Sequence, residues 1–143
     1  MAATTSIMRA QALVLQRVDA ALAPFGLTFA RYEVLALLQL TRRGALPLGK
    51  LGSRLMVHPA SVTNAVDRLA AAGLVRRVPH PTDGRTTLAA ITDDGRDVVG
   101  RATKALAAVR YGLDELADDD CRTLTAVIET LRRGVDFEPE PAG

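Results

Sequence analysis

Tryptophan is absent from the 143 residues, and phenylalanine and tyrosine together supply only 3% of them. A planar ligand would find few side chains to stack on, with Tyr32 and Phe29 among the few on offer. One cysteine, Cys121, excludes an intrachain disulfide scaffold. Three aspartates precede it, and their charge disfavours a thiolate, so it reads as an inert helix cysteine. The two histidines, His58 and His80, are too few and too far apart in sequence to make a metal site with it. No run of 18 apolar residues is present, which argues against a membrane span. The N-terminus mixes Thr, Ser, Arg and Gln into its apolar residues and lacks the core of a secretory signal. A cytoplasmic protein is the expectation. No nucleophile–base–acid set, phosphate loop or metal cluster is visible, so the sequence does not read as an enzyme and calls for no cofactor.

What is present is an ordinary apolar content of 48% and a net charge of only +2, which together describe a folded chain of one domain, residues 1–143. The small surplus is unevenly spread. Residues 28–92 hold nine basic and three acidic side chains, a local charge of +6. Residues 93–143 hold seven basic and twelve acidic ones, a local charge of −5. Such polarity suggests a middle segment that faces nucleic acid and a solvated remainder.

Apolar spacing predicts a first helix over 5–22, stopped by Pro24 and Gly26. Thr28 caps a second helix that runs to about Thr41. Leu46-Pro47-Leu48 reads as an extended link, and 49–55 as a short third helix. The fourth helix begins at Pro59 and ends before Gly73. Val62, Ala65, Val66 and Leu69 fall on one third of its circumference, while Ser61, Asn64 and Arg68 form a separate polar stripe. Leu74–Val78 and Thr86–Ile91 read as a two-stranded hairpin with an Arg-bearing tip. Thr92 then caps a long helix whose apolar seam runs from Val98 to Leu116, and a last helix covers 118–133. The acidic, Pro-rich residues 136–143 read as a frayed tail.

Helix, short turn, polar-faced helix and hairpin is the winged helix-turn-helix order, in a mainly α chain with a small β-hairpin wing. A helix 10–12 Å across fits the major groove, where its stripe can reach base edges. The hairpin tip can reach the neighbouring minor groove through Arg85, while Arg54, Arg68, Arg76 and Arg77 would meet the backbone.

Leu55-Met56-Val57-His58-Pro59-Ala60-Ser61-Val62-Thr63-Asn64-Ala65-Val66-Asp67-Arg68-Leu69, followed by Gly73-Leu74-Val75-Arg76-Arg77, resembles the MarR family of bacterial transcriptional regulators. So does Pro81-Thr82-Asp83-Gly84-Arg85 with Ile91-Thr92-Asp93-Asp94-Gly95-Arg96. The resemblance covers about residues 27–97 and is specific in combination. It implies a winged-helix lobe over 27–92, dimerisation helices at 1–26 and 93–135, and a homodimer on a pseudo-palindromic operator. It also implies a repressor of transcription that binds double-stranded DNA and is released by a small aromatic or phenolic effector. His58, Pro59, Ala60, Ser61, Thr63, Asn64 and Arg68 would form the recognition helix, with Asn64 reading bases. Asp83, Gly84 and Arg85 would form the wing tip; Gly84 stands where the family often has a second arginine. Candidates for the effector pocket, by position, are Met8, Gln11, Leu15, Arg31, Tyr32, Leu35 and Arg110. The competing reading is a winged-helix protein-interaction module without specific DNA binding, which the thinned wing at Gly84 would favour.

Overall fold

The computed structural model describes residues 1–133. The expected tail at 136–143 and the end of the segment 93–135 lie outside the described residues. Helix α1 (Ala2–Leu22) closes on a single 3-10 turn and on Gly26, whose φ of 69° is left-handed. Helix α2 (Phe29–Leu40) starts at Thr28, whose Oγ1 accepts the Arg31 N–H at 3.4 Å. Asp19 of α1 accepts the Phe29 N–H at 2.7 Å, so the first helix also caps the second. Strand β1 (Ala45–Pro47) leads into α3 (Leu48–Leu55) and α4 (Pro59–Ala71). Strands β2 (Val75–Pro79) and β3 (Thr87–Ile91) follow, then α5 (Asp93–Ala108) and α6 (Asp118–Arg132).

One core unites the lobe with its two neighbouring helices. Val34, Leu35 and Leu38 of α2, Leu51 of α3, and Val62, Val66 and Leu69 of α4 are buried together with Val18 and Leu22 of α1 and Val99, Ala102 and Leu106 of α5. Each of these five helices buries one face, which is why their order can be read from apolar positions. Gly95 in the first turn of α5 permits the closest approach: a Cβ there would lie 2.2 Å from the Leu74 carbonyl oxygen. Thr92 completes that junction, its hydroxyl donating to the Gly73 carbonyl at 2.8 Å and accepting the Gly95 N–H at 3.0 Å.

Two expectations need correction. The wing is not a two-stranded hairpin alone: the sheet has three strands in the order β1-β3-β2, and the expected link at 46–48 supplies β1. Ala45, Leu46 and Pro47 pair antiparallel with Ala90, Ala89 and Leu88. A proline is acceptable there because β1 is an edge strand and needs no ladder donor on its open side. The long helix after Thr92 also stops earlier than its apolar seam suggests. Arg110, Tyr111 and Gly112 have φ of 46°, 54° and 78°, a left-handed turn that leaves Leu113 and Leu116 outside any helix. Gly112 suits this turn, since its φ is left-handed and a Cβ would lie in tight contact, 3.3 Å from the Arg17 Cβ. Arg17 holds this turn by donating to the Gly112 carbonyl at 3.0 Å and to both Glu115 carboxylate oxygens at 2.6–2.7 Å. The last helix, as expected of a helix the lobe alone does not cover, fully buries none of its residues, and of its four spaced apolar residues Ile128 alone is half-buried. Leu124, Val127 and Leu131 are 45%, 62% and 65% exposed. At its far end the Arg132 Nη2 lies 3.5 Å from the Met56 Sδ in the turn between α3 and α4.

Candidate nucleic-acid interface and effector cleft

Helix α4 is two-faced by sequence and by structure. Val62, Ala65, Val66 and Leu69 are buried, whereas Ser61, Thr63, Asn64, Asp67 and Arg68 are exposed. The helix begins at His58, whose Nδ1 accepts the Ala60 N–H at 3.1 Å, with Pro59 as the first helical residue. Pro59 has no N–H to satisfy, and the ring nitrogen takes up one of the free donors of the first turn. Thr63 donates to the Pro59 carbonyl at 3.1 Å, so its hydroxyl proton is spent within the helix while its lone pairs stay outward. Ser61, Asn64 and Arg68 line one cleft of about 340 Å³ with Thr28, Ala30 and Arg31 of the start of α2. Arg31 thus stands beside the recognition stripe, its guanidinium donating to the Gly26 carbonyl at 3.2 Å.

The wing tip is built by two side chains that replace missing backbone bonds. His80 Nδ1 accepts the N–H groups of Thr82 and Asp83 at 3.2 and 3.1 Å. Asp83 accepts the Arg85 N–H at 3.0 Å and the Thr86 hydroxyl at 2.9 Å. The Arg85 N–H, then the Thr86 hydroxyl, hold the Asp83 carboxyl below the usual carboxylate range, because both bonds favour the ionised form. Asp83 therefore shapes the turn, and the Arg85 side chain is left exposed at its tip. Gly84 has nothing within 4 Å of a built Cβ and no left-handed φ, so the wing has room for a side chain there.

The arginines expected around the backbone separate into different settings. Arg77 is paired with Asp67 of α4 at 2.5 Å, which ties the base of the wing to the recognition helix. Arg76, next to it on the strand, is exposed and points to the other face. Arg68 stands with Asn64 in the recognition cleft. Arg54 is elsewhere: it lines a groove of about 390 Å³ with Arg42 and Arg43 of the turn after α2. Lys50 and Ser53 of α3 face the wing across a further cleft that includes His80, Asp83 and Arg85. Sequence reasoning missed these two, because α3 is too short to show a clear polar stripe.

The seven effector-pocket candidates are not brought together. Met8, Gln11 and Leu15 lie on the exposed face of α1, Leu35 is buried in the core, and Arg31 belongs to the recognition cleft. Arg110 is held in the left-handed turn by Asp118 and the Leu116 carbonyl, at 2.9 and 3.0 Å. Tyr32 alone of the seven lines a cleft between α2 and α5, of about 400 Å³. Its walls are Ala36, Leu40, Val99 and Gly100, with Gln39, Thr103 and Lys104 at the rim. Tyr32 Oη and Thr103 Oγ1 are hydrogen-bonded at 2.8 Å, and the Phe29 ring stacks on Tyr32 with centroids 6.4 Å apart. Small residues such as Ala36 and Gly100 make this cleft, and small residues carry no sequence signal of a pocket.

An exposed polar helix face, a preceding short helix and a three-stranded wing define a winged helix-turn-helix protein. Residues 29–87 match the MarR family, and the chain belongs to that family of transcriptional regulators, which are not enzymes. It is 52% identical to Sco5413, a MarR family transcriptional regulator from Streptomyces coelicolor, with 96% of each chain covered and a TM-score of 0.88. Sco3205 from the same organism, solved in complex with DNA, is 26% identical over 98% of this chain and 87% of its own, with a TM-score of 0.84. The HTH-type transcriptional regulator Mb0904 of Mycobacterium bovis is 38% identical over 73 residues. That match spans about half of each protein, 51% of both. Among the described residues, no single helix is long and apolar enough to cross a membrane.

Proposed function

We propose that the protein is a homodimeric, sequence-specific DNA-binding repressor released by a small effector. The observation that carries DNA binding is α4: Ser61, Asn64 and Arg68 project from a helix whose opposite face is buried, beside a wing that presents Arg85. Asn64 can bond an adenine edge bidentately, and Arg85 suits a narrow minor groove. Arg68 and Arg76 serve the phosphates, with Arg77 held back by Asp67. Dimerisation is supported by the uncovered apolar faces of α6 and of the N-terminal half of α1, where Met8 is 61% exposed. Effector response is supported by the α2–α5 cleft, which adjoins both the lobe and the helix that leaves it.

Selection of bound duplexes from random DNA tests the reading. The expected outcome is a pseudo-palindrome with half-sites about one helical turn apart, and affinity that falls steeply with salt. On that site Asn64→Ala should cost on the order of 1–3 kcal/mol and relax the choice of base. Equal affinity for every duplex would leave a protein-interaction module as the better description.

A further inference from the structure

We propose that the chain's own acidic segment 134–143 docks in the groove of Arg42, Arg43 and Arg54 and straps the end of α6 to the winged-helix lobe. The groove gathers these three guanidinium groups around Leu37, Leu40 and Leu46. Among the described residues, none of the three is in an ion pair. Like charges gathered beside apolar side chains repel one another, and an acidic occupant relieves that repulsion. Leu40 is 84% exposed, so an occupant that also carries an apolar side chain gains by covering it. The same wall includes Ala45 and Leu46 of β1, the edge strand of the sheet, and an edge strand suits an extended occupant.

Segment 134–143 has the matching chemistry. Asp136, Glu138 and Glu140 alternate with Phe137, Pro139 and Pro141, and the segment holds no basic residue. Glu138 and Glu140 each precede a proline, which disfavours helix at both and favours extended backbone. In extended backbone successive side chains face opposite sides. Three carboxylates then share one side and Phe137 lies on the other, the same division into charged and apolar that the groove presents. The segment also starts in the right place. Arg132, at the end of α6, reaches the Met56 Sδ at 3.5 Å, and Met56 is two residues past Arg54. Ten residues of extended chain reach at most about 36 Å, ample to cross from that point to Arg42 and Arg43. DNA phosphates are the less suitable occupant, because the groove shares no lining residue with the recognition cleft or the wing cleft. Once seated, the segment ties α6 to α3, which leads through a single turn into α4.

Cross-linking of the full chain tests this. Arg43→Lys keeps the charge and supplies an amine, which a water-soluble carbodiimide joins directly to a carboxylate in contact with it. Arg9→Lys, exposed on α1, is the control. Both positions are exposed, so both variants should keep the parent's melting curve. Peptide mapping should find position 43 joined to Asp136, Glu138 or Glu140 in at least about tenfold higher yield than position 9, as a tethered acid has a high effective concentration at its site. When light and isotope-labelled chains are unfolded and refolded together, both halves of each linked pair should carry the same label. Pairs of mixed label would assign the groove to the segment of a second copy and overturn the proposal. A yield at position 43 no higher than at position 9 would overturn it too. Arginine reactivity gives an independent readout on the unaltered groove. Neutralising the segment by Asp136→Asn, Glu138→Gln and Glu140→Gln together should speed the reaction of Arg42 and Arg43 with phenylglyoxal by about threefold or more, with Arg9 unchanged. Equal rates at Arg42 and Arg43 with and without the three carboxylates would overturn the proposal.

Discussion

Met56 occupies a left-handed backbone position, with φ of 55°, at the turn between α3 and α4. Glycine adopts that conformation without the Cβ–carbonyl clash an L-residue incurs. Met56→Gly should therefore raise unfolding stability by about 1 kcal/mol, read as a shift of the denaturation midpoint at constant slope. Gly84 is the opposite case, a glycine where nothing requires one. Gly84→Arg should add one phosphate contact to the wing. Its mark would be a salt dependence of DNA binding steeper by about 0.9 in the log–log slope, with the preferred sequence unchanged. At this scale the sequence was informative wherever a residue's own chemistry dictates its place. Thr28, Thr92 and the His58-Pro59 pair all stand at helix starts as read. It was uninformative for Arg31 and Arg54, whose long side chains reach clefts set by the packing of α2 against its neighbours.

Between elements, the decisive contact is the one that bends the chain after α5. Arg17 of α1 donates to both oxygens of Glu115, which holds that carboxyl down at about 2. A carboxyl with a depressed folded-state value stabilises above its ordinary 4.5, and that contribution is lost as the pH falls towards about 2. A carbon-detected NMR titration should place the Glu115 midpoint near 2, and Arg17→Ala should return it towards 4.5. The bend also marks where sequence reading fails. Apolar residues continue at helical spacing through Leu113 and Leu116, and Gly112 is the sole punctuation. The reversal at Arg110 and Tyr111 is held by Arg17, which reaches Gly112 from 95 positions upstream, and no local pattern encodes that contact. Strand β1 escaped notice similarly: three residues with a proline read as a link until β3 is there to pair with them.

At the scale of the whole molecule, the chain is polarised. The segment at +6 forms the lobe that carries α4 and the wing, and the segment at −5 leads away from it through α5 and α6. Charge distribution and the order of the six helices were both legible in the sequence, since they depend only on which residues follow which. The cleft between α2 and α5 was not, since it is defined by side chains too small to announce it. If α6 pairs with a second copy, Val127→Asp should separate the copies, because two-fold symmetry places each substitution in the interface twice. Burial of one such side chain contributes roughly 1.5–3 kcal/mol, so the dissociation constant should rise by at least about tenfold. Light scattering should then report the 15.2 kDa chain at concentrations where the parent has twice that mass. The uncovered face of α6 has one more consequence. If α6 pairs with a second copy through that face, folding and association are governed by the same mass action, and the melting temperature should rise with protein concentration.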